Sequence, residues 1–187
     1  MTTMSNATGV HAARQEQQMT PSSTPSYLAI SSIAPVIESR VEPHLTDGNG
    51  HMNVRHIYSY GVGGADLLAE RSGIDAEYRE KRRMSIFAVE HHIQFFSEMQ
   101  ENDAFSVHPL WVDRSERVGH ILVFLLNRTT RTLSSILELA VVHVDLDNRS
   151  SVPFPPAIAA ELDRCRAITR AIPWPIPTSG AVGVRRG

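Results

Sequence analysis

With Cys165 as its single cysteine, this 187-residue chain can form no intrachain disulfide and no thiolate metal cluster. Such usage suits a reducing cytoplasm, which is the compartment expected. Long apolar runs are missing as well: none reaches the roughly 18 residues of a membrane helix, and the N-terminus lacks the apolar core of a secretory signal. No membrane partner is therefore expected. Charge of one sign is equally scarce, since 18 Lys and Arg face 20 Asp and Glu for a formal charge of -2. Without a long basic block to neutralise phosphates, a dedicated nucleic-acid binder is excluded and small molecules become the natural partners. What the chain does have is a 42% hydrophobic composition, enough for one real core.

The two ends differ from the middle. Residues 1–26 are rich in Thr, Ser, Gln and Pro with almost no large apolar side chain, so they cannot offset the entropy of ordering. We predict a mobile arm over residues 1–27, a single domain over 28–168 and an extended tail over 169–187. The tail carries Pro173-Trp174-Pro175-Ile176-Pro177, which has no helix or strand signal.

Inside the domain, residues 33–45 are the first strand candidate, with Val36 and Ile37 leading to Val41. Residues 54–71 carry Ile57, Tyr60, Leu67 and Leu68 near helical spacing behind Asn53, a good N-cap. A short amphipathic helix is predicted over 74–83. Four β-rich segments follow, over 84–96, 105–113, 118–127 and 133–145, joined by links of hairpin length that imply antiparallel neighbours. In the first of them Val89, His91, Ile93 and Phe95 alternate with Glu90, His92, Gln94 and Phe96, so His91 and His92 cannot share a metal. The unbroken apolar run 121–126 implies burial on both faces. A last helix, 157–171, follows Pro153-Phe154-Pro155-Pro156. One strand, a long helix and an antiparallel meander make an α+β order in which the sheet can wrap the helix.

The chemistry concentrates in Asp47-Gly48-Asn49-Gly50-His51-Met52-Asn53, a glycine-bearing turn running straight into the long helix. Such a turn sets an ionised acid beside backbone N–H donors, as attack on a carbonyl requires. Asp47 is the candidate base or nucleophile, the amides of Gly50 to Asn53 with the positive helix end are the oxyanion donors, and His51 orients the carbonyl or holds the turn. Plainer roles exist for each: an Asx turn for Asp47, a turn bond for His51, a helix cap for Asn53. Gly61, Gly63 and Gly64 each cost roughly 1 kcal/mol relative to Ala inside a helix, so close approach of the sheet or of a ligand is expected there. They form no dinucleotide fingerprint, because no strand immediately precedes them. His143, Asp145 and Asp147 recur at period two, as in an ordinary polar strand end, and no zinc spacing appears among the nine histidines. No metal is expected.

Asp47, Gly50, His51 and Asn53 give the pattern D-x-x-G-H-x-N, which with the element order resembles the 4-hydroxybenzoyl-CoA thioesterase-like proteins of the hotdog fold. The stretch from Val41-Glu42-Pro43 to Asn53, Phe87-Ala88-Val89-Glu90-His91-His92-Ile93, Val142-His143-Val144-Asp145-Leu146 and Pro153-Phe154-Pro155-Pro156 are most similar to the betainyl-CoA thioesterases associated with carnitine and betaine metabolism. The resemblance implies hydrolysis of a short polar acyl-CoA thioester to free acid and CoA, by Asp47 with His51, Asn53 and a second carboxylate, Glu90. Coenzyme A is then part of the substrate, and no cofactor is implied. Gly50 and Met52 would contact the substrate. An aromatic cage for a quaternary ammonium would draw on Tyr58, Tyr60, Phe87, Phe95 and Trp111, and the phosphates of CoA on Lys81-Arg82-Arg83 or on Arg164, Arg166 and Arg170. A homodimer or a dimer of dimers is implied, with Glu90 serving the partner's acid. Gly48 stands where the family pattern has a bulkier residue. That departure and the glycine-bearing helix leave a non-catalytic acyl-thioester-binding module, or a hotdog hydratase, as alternatives.

Overall fold

The computed structural model describes residues 24–185, so the expected N-terminal arm lies outside the described residues as far as residue 23. In chain order the elements are α1 (Tyr27–Ser31), β1 (Ile37–Arg40), a 3-10 turn (Pro43–Leu45), α2 (Val54–Arg71), α3 (Ala76–Arg82), β2 (Met84–Phe95), β3 (Ala104–Arg114), β4 (Val118–Asn127), β5 (Thr132–Asp145), β6 (Ser150–Ser151) and α4 (Pro156–Arg170). The long helix α2 has the limits read from the sequence because both ends are set locally. Asn53 Oδ1 accepts the Arg55 N–H at 3.0 Å, and Gly73, at φ +88°, follows the Ser72 cap. The strand expected over 33–45 is shorter, since only Ile37–Arg40 pairs with β3 and Pro43 opens the 3-10 turn. No periodic signal announces α1, a five-residue helix capped by Ser26 that buries Ile30.

The antiparallel sheet runs β1-β3-β4-β5-β2, with β6 added on β5. It meets α2 at two of the three helical glycines: a Cβ at Gly61 would lie 2.8 Å from Leu137 Cδ2, and one at Gly64 2.5 Å from Val107 Cγ1. Close approach of the sheet therefore accounts for Gly61 and Gly64. Ile57, Ala65 and Ala69 of α2 join Ile121, Val123, Leu125 and Leu137 in the main core. On the other face of β4, Leu122, Phe124 and Leu126 pack with Ile30 and with Ile172, Trp174 and Ile176 of the tail. The run 121–126 is thus buried on both faces, and each such side chain contributes roughly 1.5–3 kcal/mol when fully buried. Helix α4 lies against β3, with Ile158 and Leu162 in the core and ion pairs from Arg114 to Asp163 and from Arg166 to Asp113.

The pairing of β2 with β5 shifts between Ala88 and Glu90, a β-bulge that leaves Val89 without a partner in register. This corrects the alternation read from the sequence. His91, Ile93 and Phe95 do face α2, but Val89 lines an outer cavity together with Glu90.

Candidate active site

The 47–53 turn is built from its own residues and then clamped from outside. The Gly50 N–H donates to Asp47 O at 3.0 Å and the Asn49 N–H to Asp47 Oδ1 at 2.8 Å, an Asx turn within a β-turn. Gly50 sits at φ +81°, a conformation that favours glycine, whereas a Cβ at Gly48 would meet nothing within 4 Å. A bulkier residue would fit at 48, so glycine there is no requirement of the turn. The clamp consists of short bridges from Thr46 to Met52 and from His51 to Gln100. Within it the Asp47 N–H donates to His51 O at 3.0 Å, the Met52 N–H to Met99 O at 2.7 Å and the Asn53 N–H to Leu45 O at 2.8 Å.

Those bonds change the expected oxyanion donors. The amides of Gly50, Met52 and Asn53 are all occupied, because the turn must satisfy its own backbone before it can serve a ligand. Among the described residues, the amides of His51 and of Val54 have no protein acceptor. Val54 opens α2, where the helix dipole adds positive potential.

Both residues line one cleft of about 230 Å3, shared with Met52, Ile57, Phe95 and Glu98. His51 stands between two carboxylates, its Nε2 3.8 Å from Asp47 Oδ2 and its Nδ1 3.8 Å from Glu98 Oε2. Asp47 retains 23% side-chain exposure and is not part of the cleft wall; it stands behind His51, which is. Ser135, opposite Phe95 on β5, has a buried Oγ with no partner among the described residues. Glu98 and Ser135 escaped the sequence reading, and Ile57 was read there only as an apolar position of the long helix. Neither Glu98 nor Ser135 belongs to a motif: the bridge from His51 to Gln100 brings Glu98 to the turn, and pairing with Phe95 places Ser135.

Most of the expected aromatic cage is dispersed. Trp111 is 1% exposed, with its Nε1 donating to Ser72 Oγ at 2.9 Å, so it is a core residue and not a ligand contact. Tyr60 packs edge-on to Phe105 with centroids 4.7 Å apart, also in the core. Phe87 alternates with core-facing Ile86 and lies beneath the Arg149 guanidinium, 5.5 Å from its ring centroid. Tyr58 Oη lies 2.7 Å from His91 Nδ1, and burial pushes the His91 imidazole below its ordinary pKa. Phe95 alone of these lines the cleft. Glu90 is likewise elsewhere within the chain: past the bulge it lines the outer cavity and pairs with Arg185 of the tail at 2.6 Å.

The basic clusters are largely matched by acids. Lys81 pairs with Glu77, Arg83 with Asp147, Arg164 with Glu161, and Arg166 with both Asp113 and Asp163. Arg82 and Arg170 lie exposed in the last turns of α3 and α4. His143 is bonded through Nδ1 to Val152 O at 3.0 Å and through Nε2 to Tyr78 Oη at 2.7 Å, while Asp145 caps the Asp147 and Asn148 amides. These residues do not converge with Asp147, which is taken by Arg83.

An antiparallel sheet curled around one long helix, with its acid and free amides at the opening of that helix, defines the hotdog class. Residues 41–162 match the model of the thioesterase-like superfamily, and the chain belongs to that family of thioester hydrolases. It is 25% identical over 158 residues to the betainyl-CoA thioesterase of Pseudomonas aeruginosa, a match covering 83% of this chain and 98% of that protein. A 28% identity over 149 residues links it to the L-carnitine dehydrogenase/betainyl-CoA thioesterase of Agrobacterium fabrum, covering 79% of this chain but 30% of that longer protein. Among solved structures, a Staphylococcus aureus protein in complex with CoA superposes with a TM-score of 0.66 at 21% identity, covering 81% of this chain and 94% of the other. The 1,4-dihydroxy-2-naphthoyl-CoA thioesterase of Synechocystis superposes at 0.60 with 15% identity, covering 68% and 93%. No helix among the described residues is long and apolar enough to cross a membrane.

Proposed function

We propose that the protein hydrolyses a short, polar acyl-CoA thioester, with betainyl-CoA the foremost substrate. The observation that carries this reading is the meeting of His51, its Nε2 3.8 Å from Asp47 Oδ2, with the free His51 and Val54 amides at one small cleft. A thioester carbonyl seated there places its developing oxyanion on those N–H groups, each such donor being worth about 3 kcal/mol in the transition state. Asp47 either takes a proton from the attacking water, with His51 beside it, or attacks the carbonyl carbon itself to form an anhydride that water then opens. In both routes the C–S bond breaks and CoA leaves as a thiolate. The cleft wall also suits a trimethylammonium head, since Phe95 presents an aromatic ring and Glu98 a carboxylate. The nearly full-length match to a betainyl-CoA thioesterase supports the same substrate. Strand β2 has one edge unpaired among the described residues and exposes Val89, Phe95 and Phe96, so a second copy pairs along it to form a homodimer that carries Glu90 towards the partner's cleft.

Thiol release from betainyl-CoA and from its uncharged isostere 3,3-dimethylbutanoyl-CoA tests the reading. We expect preference for the betainyl ester, a loss of that preference in Glu98→Gln, and a fall in kcat of about 100-fold or more in Asp47→Asn with an unchanged melting temperature. Undiminished turnover by Asp47→Asn counts decisively against the assignment.

A further inference from the structure

A second cavity, of about 660 Å3, opens between α1 and the turn from β4 to β5, and its lining includes Tyr27, Arg40, Ala104, Arg128, Thr129 and Arg131. Three guanidinium groups face it against one nearby carboxylate. Arg128 pairs with Glu38 at 2.6 Å. Arg40 donates only to a backbone carbonyl, Asn102 O at 3.0 Å, and Arg131 lies 5.4 Å over the Tyr27 ring, so neither has a carboxylate partner among the described residues. This is where the cavity differs from the basic runs over 81–83 and 164–170, in which Lys81, Arg83, Arg164 and Arg166 are already matched by acids. Guanidinium groups with unspent donors bind phosphate oxygens in pairs, which makes an anionic, phosphorylated ligand the natural occupant.

The cavity is also within reach of the cleft. Glu98 lines the cleft and Ala104 lines the cavity, six residues on, so their Cα atoms are at most about 21 Å apart. The turn between them is held on the cleft side by the Met52 N–H on Met99 O at 2.7 Å and on the cavity side by Arg40 on Asn102 O. We propose that this cavity receives the phosphate-bearing nucleotide end of the same coenzyme A thioester whose acyl end enters the cleft, the pantetheine arm following the 98–104 turn. The inference rests on the acyl-CoA reading given above, and its test does not need turnover.

Calorimetric titration with coenzyme A and with pantetheine, which lacks the nucleotide, measures what the phosphates contribute. We expect the full chain to bind coenzyme A more tightly than pantetheine, and the double variant Arg40→Gln/Arg131→Gln to lose about tenfold or more of that difference, the loss of one or two charge-assisted hydrogen bonds. Arg131→Glu, a surface charge reversal, should do the same and guards against misfolding of the double variant. In turnover, the preference for the CoA ester over the N-acetylcysteamine ester of the same acid should fall by a similar factor through KM. Coenzyme A binding at full strength in both variants overturns the proposal, as does weakened binding of free adenosine 3′,5′-bisphosphate with an unchanged preference for coenzyme A, which would mark a separate anion site. A protein that binds coenzyme A through these arginines yet cleaves no thioester would sink the catalytic reading while leaving this one standing.

Discussion

At Gly64 the helix and the sheet come so close that a single methyl group decides the sign of a substitution. A Cβ there would sit 2.5 Å from Val107 Cγ1 and 3.4 Å from Val123 Cγ1, branched side chains fixed in the buried strands β3 and β4. Gly64→Ala is expected to cost about 1–3 kcal/mol by overpacking, seen as a lower urea midpoint. Gly63 is one residue away and faces the opposite outcome, because its Cβ would meet only Ile37 Cδ1 at 3.9 Å. Gly63→Ala should stabilise by up to about 1 kcal/mol through helix propensity. If the two variants shift stability alike, the close approach is not what holds glycine in α2. Asp47 and His51 show the same dependence on neighbours: their residue types were readable as chemistry, but that His51 stands between Asp47 and Glu98 depends on the link after β2, about 50 positions further on.

At the scale of elements, the opening of α2 links stability to the site. Asn53 caps the helix through Oδ1 while its own amide is tied to Leu45 O, and the next amide, of Val54, has no acceptor among the described residues. Asn53→Ala should cost about 1 kcal/mol in chemical denaturation and lower kcat, because an uncapped first turn no longer fixes the Val54 N–H. Asn53→Ser keeps an acceptor at the cap and should recover most of both losses; recovery of stability without activity would separate the cap from the donor. The limits of α2 and the double burial of β4 were legible in the sequence because spacing and capping are local properties. The bulge at Val89 was not, since it is defined by which residues of β5 lie opposite. That one extra residue is what turns Val89 outward, into the cavity it shares with Glu90 and Arg185.

For the whole molecule, the buried His108 and His143 and the half-buried His91 contribute to the response to acid. Burial pushes His91, His108 and His143 below their ordinary pKa of 6.5, although the Ile33 carbonyl partly opposes this at His108 and the Val152 and Pro153 carbonyls at His143. The folded values lie below the unfolded one, so the unfolded chain binds more protons as pH falls through about 6.5. Stability should therefore be full above that value and decline below it, and a urea midpoint that is the same at pH 7.5 and pH 5.5 would falsify this. Glu138 adds a second loss at lower pH. Burial raises its carboxyl, but the His120 imidazole 3.4 Å away and hydrogen bonds from the hydroxyl and amide of Ser179 together hold it below the usual range, so protonating it weakens its hold on Ser179. The tail is a second cover for the sheet, and Trp174 lies edge-on to Phe124 with centroids 6.0 Å apart. Trp174→Ala should cost about 1–2 kcal/mol, measured as a shift in urea midpoint, because it uncovers the outer face of β4.

The sequence by itself determined the order of elements, the length and cap of the central helix, the strand buried on both sides and the turn that bears the acid. Each of these depends on residues within a few positions of one another, where spacing, capping and turn chemistry act. Only the tertiary structure decided which amides of the turn stay without an acceptor, that Trp111 belongs to the core, that Glu90 meets Arg185 within the chain, and that Arg40, Arg128 and Arg131 share a cavity. Those outcomes are set by partners outside the local pattern, most of them tens of residues away: Met99 takes the amide of Met52, Ser72 takes the Trp111 indole, and strand register sets the rest. Hydrogen-bond satisfaction and register are properties of the closed fold, and no local pattern encodes them.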